Sequence, residues 1–178
     1  MHRCLFRCLL VASFLFPLGV CAQTRAVAAS RAPLELPQVT RQAGIIFSGH
    51  VVSIQPVRVA GSDQVASIAV TFQVEQGIRG ARAGQRFTFH EWVGLWSGSE
   101  RYRVGERLML FLYAPSELGL TSPVGGAAGR FSVDRNGMVL LSQQQQQAIQ
   151  ILPEPVRILR GRVPIRDFVR SLRGLGEE

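Results

Sequence analysis

The sequence has no lysine, and its three cysteines, Cys4, Cys8 and Cys21, all fall within the first 21 residues. Two of its three histidines, His50 and His90, lie beyond position 2. Each shortage excludes something. A chain cleaved after Ala22 carries no thiol, which rules out disulfides, a cysteine nucleophile and a thiolate metal site for it. The histidines come from separate segments with no His-Glu-x-x-His spacing, so a helical zinc motif is absent. The 12 acidic residues are scattered, giving little support to a paired-carboxylate glycosidase. Gly94-Leu95-Trp96-Ser97-Gly98 sets its serine one place late for a nucleophile elbow. Gly125, Gly126 and Gly129 lack the Gly-x-Gly-x-x-Gly spacing and lead into a strand, so they predict no phosphate cradle. Beyond the N-terminus no stretch approaches ~18 uninterrupted apolar residues, so no later segment reads as a membrane span.

What is present begins with Met1-His2-Arg3, a basic start, and a mostly apolar run from Leu5 to Val20 interrupted by Arg7 and Cys8. Val20-Cys21-Ala22 then supplies small residues of the kind a signal peptidase reads, with a second acceptable site at Ala26-Val27-Ala28. Residues 1–22 are thus expected to be a signal peptide, and the mature protein to be periplasmic or secreted. Leu18-Gly19-Val20-Cys21 is an imperfect lipoprotein box, since Val20 is a poor fit to the position just before the cysteine. The formal charge is +8, and removal of Arg3 and Arg7 leaves +6. All 20 basic residues are arginine, as a GC-rich coding sequence would give. A basic exported protein can also rest on anionic envelope surfaces. Nucleic acid is not the expected partner, since the protein is expected to be exported and its arginines are scattered.

Residues 23–36 are rich in Ala, Arg and Pro and read as a flexible lead-in, and Leu36, Val39 and Ala43 have the spacing of a short helix. Ile45 to Val59 predicts a first strand, with Gly49 marking a bulge or tight bend. Ala66, Ile68, Val70, Phe72 and Val74 alternate with more polar residues, the pattern of a half-buried antiparallel strand. Arg86 to Trp92 predicts a third strand with Phe87 and Phe89 on one face. Leu108 to Tyr113 is apolar throughout and short, which suits a central strand buried on both sides. Arg130–Val133 and Met138–Leu141 flank Asp134-Arg135-Asn136-Gly137, a hairpin signal. Five consecutive glutamines, Gln143 to Gln147, open what reads as a linker over 143–162. Ile165, Phe168, Val169 and Leu172 predict an amphipathic helix within 163–174, with Arg166, Arg170 and Arg173 on its solvent side. The domain proper is then 37–142, an all-β fold: a small antiparallel barrel followed by a short C-terminal helix.

Several phrases carry a resemblance. Ala43-Gly44-Ile45-Ile46-Phe47-Ser48-Gly49-His50-Val51, Thr71-Phe72-Gln73-Val74-Glu75 with Arg79-Gly80, Tyr102-Arg103-Val104-Gly105-Glu106, and Gly129-Arg130-Phe131-Ser132-Val133 occur in order. Together they resemble a group of exported bacterial domains similar to the netrin-like barrels of the tissue inhibitors of metalloproteinases, an OB-type fold. The resemblance covers about residues 40–141 and rests on strand apolars and turn glycines, so it implies a fold and transfers no functional residue. Those inhibitors chelate the target's zinc with an N-terminal cysteine, which the mature chain lacks.

The sequence therefore points to a non-catalytic exported module that binds or scaffolds an envelope protein or glycan, with no cofactor and no metal. Its candidate surface is the 90–103 segment, where Trp92, Trp96, Arg101, Tyr102 and Arg103 can stack on and fork to a ligand. The competing structural role is that both tryptophans fold back and cap the barrel end. Two alternatives stand beside the binding module: a metal-dependent hydrolase using His50, His90 and Glu91, and single-stranded nucleic-acid or glycan binding through the same aromatic and arginine-bearing loop.

Overall fold

The computed structural model describes residues 35–61, 63–97, 102–149 and 158–175, which belong to one unit spanning 32–178. The expected signal peptide, the lipoprotein box and nearly all of the lead-in lie outside the described residues, as do Arg101 and the side chain of Trp96. Seven strands form one antiparallel sheet around β1 (Ile45–Arg58). β1 pairs on one side with β2 (Val65–Arg79) and on the other with β4 (Arg107–Leu112). β3 (Arg86–Trp92) adds to β2, and β5 (Arg130–Val133), β6 (Met138–Leu140) and β7 (Arg162–Pro164) follow β4 in turn. The described residues also include three α-helices, α1 (Leu36–Gln42), α2 (Gln143–Ile149) and α3 (Ile165–Gly174), and short 3-10 helices at Val93–Ser97 and Gly126–Gly129. Among the described residues no helix is long and apolar enough to cross a membrane.

The all-apolar run behaves as its composition demands. Leu108, Leu110 and Leu112 of β4 enter one core with Phe47, Phe72 and Phe89, while Met109 and Phe111 enter a second with Ile46, Phe131 and Phe168. Side chains alternate across a strand, so a run with no polar member needs cover on both faces. On the second face that cover comes from Leu36 and Val39 of α1 and from Phe168, Val169 and Leu172 of α3. Arg79 ties α1 down by donating to the carbonyls of Thr40 and Ala43 at 2.8 and 2.7 Å, where a helix end leaves acceptors unmet. Gly49 sits at a register shift, and a Cβ there would stand 2.2 Å from the Gln73 carbonyl oxygen. The bulge read from Gly49 is therefore present.

Two expectations change. The sheet does not close into the barrel. Its ladder runs open from β3 to β7, and β3 meets the incoming 113–123 segment in a single bridge, His90 to Leu120. Pro115 and Pro123 withhold ladder donors from that segment, and Ser116–Gly119 turns back on itself, so a full closing strand cannot form. The expected linker 143–162 is not featureless either. Its glutamines form α2 because Ser142 and Gln145 cap one another: the Gln145 amide donates to Ser142 Oγ at 3.2 Å and the Ser142 amide to Gln145 Oε1 at 2.9 Å. A tight turn at Arg160–Gly161, both with positive φ, then feeds β7, which occupies 162–164 and delays α3 to Ile165.

Candidate functional site

Alternation along β3 decides what the 90–103 segment presents. Glu91 turns inward and is 4% exposed, whereas Trp92, the next residue, turns outward and is 58% exposed. A Cβ on Gly94 would lie 2.4 Å from ring carbons of Trp92, so the indole lies across that glycine and could not do so over any larger residue. Tyr102 returns to the inner side, 4% exposed, with its ring edge-on to Phe72 and Phe89 at 6.0 and 5.8 Å. The turn Arg103–Glu106 follows, with φ +85° at Gly105 and the Glu106 amide donating to the Arg103 carbonyl at 2.9 Å. That turn brings the Glu106 carboxylate back over the start of β5.

Four side chains meet there. The Tyr102 hydroxyl donates to Glu91 Oε1 at 2.9 Å. The Arg130 guanidinium lies 4.5 Å from the centre of the Tyr102 ring and donates from Nη2 to both Glu106 oxygens at 3.0 Å. Glu106 also accepts the Arg103 backbone amide at 3.1 Å. Burial, the adjoining Glu91 carboxylate and the bond to it push the Tyr102 phenol far above its ordinary range, against an opposing pull from Arg130. Tyr102 thus remains the donor in this bond through the neutral pH range. Glu91, Tyr102 and Arg130 form the wall of a cleft of ≈ 160 Å³ completed by Leu95, Ser122, Pro123 and Gly126.

Of the residues expected at the site, Tyr102 lines the cleft, but it is buried rather than displayed as a platform. Trp92 lies on the opposite face of β3, and Arg103 is exposed and bound to Glu106 only through its backbone. Trp92 and Tyr102 thus differ in exposure, 58% against 4%, while Arg101 and the side chain of Trp96 lie outside the described residues. His50, His90 and Glu91 are not brought together. His50 stands opposite Gln73, His90 opposite Ala69, and Glu91 faces away from His90. Among the described residues no three His, Cys, Asp or Glu side chains converge as a metal would need. His50 instead joins Glu75 through Nδ1 at 3.0 Å, and Arg107 donates to the other Glu75 oxygen at 2.6 Å. Burial works against ionisation of Glu75, but the hydrogen bonds from Arg107 and His50 outweigh it and hold the carboxyl below its usual range.

Glu106, Arg130 and Ser122 were not among the expected site residues. The phrases Tyr-x-Val-Gly-Glu and Gly-Arg-Phe contain two of them, but only the fold joins residues 24 apart. The chain matches no protein-family model and no curated protein.

Proposed function

We propose that the protein is an exported, non-catalytic binding module, an OB-type relative of the netrin-like domains, whose cleft at Glu91, Tyr102 and Arg130 takes one sugar unit of an envelope glycan. The observation that carries this reading is a buried carboxylate and a guanidinium, each held by its own partner, in the wall of an open cleft. A sugar ring asks for acceptors and donors at fixed positions beside an apolar pad, here Glu91, Arg130 and Ser122 beside Leu95 and Pro123. Its volume is below the ~300–1,000 Å³ of pockets that enclose a whole ligand, so it fits one unit of a longer chain. Buried charge systems stabilise a fold poorly because desolvation offsets their attraction, which favours a recognition role for this one. Export rests on the N-terminal signal pattern. The OB-type relation rests on the four sequence phrases alone.

Calorimetry against soluble oligosaccharides, β-linked N-acetylglucosamine oligomers and neutral glucans, tests the reading. Saturable binding is expected for at least one class, weakened about tenfold (roughly 1.4 kcal/mol) by Glu91→Gln and by Arg130→Gln. No binding across the panel, or binding unchanged in both variants, would contradict it.

A further inference from the structure

A second feature lies on the other face of the sheet. α3 is pinned by Phe168, Val169 and Leu172, which leaves Arg166, Arg170 and Arg173 along its outer side at i, i+4 and i+7. These three arginines, with Val169 as floor and Gln76 of β2 as the far wall, border a groove of ≈ 340 Å³. One carboxylate stands among them: Asp167, which accepts from Arg170 at 3.4 Å in an exposed pair. Among the described residues Arg166 and Arg173 have no acidic partner. The acidic side chain next to Gln76 on β2, Glu75, is already paired with Arg107 and hydrogen-bonded to His50. Arg160 and Arg162 precede α3, so the 158–175 segment holds five arginines against one aspartate.

We propose that this groove docks the protein on an anionic membrane surface by taking lipid phosphate headgroups. Guanidinium groups match phosphate oxygens with forked hydrogen bonds, and three along ~10 Å of helix present them as a row. The apolar face of α3 is committed to the core, so attachment is electrostatic and the helix does not insert. A single-stranded nucleic acid is the poorer fit because among the described residues no aromatic side chain borders the groove to stack a base.

The test is vesicle co-sedimentation of the full chain, read as the ratio of binding to phosphatidylcholine vesicles with and without 30 mol% phosphatidylglycerol. Taking the ratio cancels what the apolar N-terminal run adds to both. Each arginine near an anionic surface strengthens attachment about fivefold, so R166Q/R170Q/R173Q should reduce the ratio at least tenfold. Raising the salt should reduce it as well. R82Q/R86Q/R135Q, which removes the same charge from exposed positions elsewhere, should leave it near the parental value. Circular dichroism establishes that both variants are folded. An unchanged ratio in the α3 variant, or an equal loss in the control, would overturn the proposal. So would tighter binding of a single-stranded oligonucleotide than of the anionic vesicles. The glycan reading concerns a different face, and neither set of arginines enters its cleft.

Discussion

Tyr102 satisfies two demands at once: its ring fills the aromatic core and its hydroxyl meets the buried Glu91 carboxylate. Tyr102→Phe keeps the first and loses the second, leaving a buried acceptor short of a donor. Urea unfolding should show a loss of about 2 kcal/mol. Because its folded pKa is raised, the phenol contributes stability that is intact below the ordinary phenol range and declines as pH rises beyond it, when the unfolded chain ionises first. Glu75 runs the other way. Its folded pKa lies below the ordinary 4.5, so its contribution is present above that value and is lost as pH falls through the lowered one. The Glu75→Gln variant should be less stable than the parent by about 0.5–1 kcal/mol at pH 7, the pair being partly exposed, and by less at pH 4, where the unfolded chain already takes up the proton. Urea midpoints at the two pH values measure it.

Elements whose cause is local are legible in the sequence. The second strand shows its burial in its alternation, and α3 shows its face in Phe168, Val169 and Leu172. Gly49 is such a case: its lack of a side chain lets β2 pass close by. Gly49→Ala would press a methyl group into the Gln73 carbonyl and should cost about 2–3 kcal/mol, read as a lowered melting temperature. α2 was missed although its signal is local too, since Ser142-x-x-Gln145 is a capping box hidden inside a run that composition alone assigns to a linker. The cleft was legible only in part. Tyr102 and Glu91 stand in the segment singled out by its aromatics, but Trp92 leaves that group for a reason one residue of alternation settles. Arg130 enters it, held from behind by Glu106, through a turn and a strand pairing that no spacing announces.

Taken whole, the molecule is a sheet with two cores that share β1 and β4, and each face carries different chemistry. The face toward β3 ends in the Glu91–Tyr102–Arg130 cleft, and the opposite face carries α3 and its arginines. That separation predicts where a ligand should be felt. A two-dimensional amide NMR titration with the tightest-binding oligosaccharide is the most direct test. Shifts should centre on Glu91, Leu95, Tyr102, Ser122 and Gly126 and leave α3 undisturbed. Shifts centred on Trp92's outer face or on α3, or none at saturating oligosaccharide, would contradict the account.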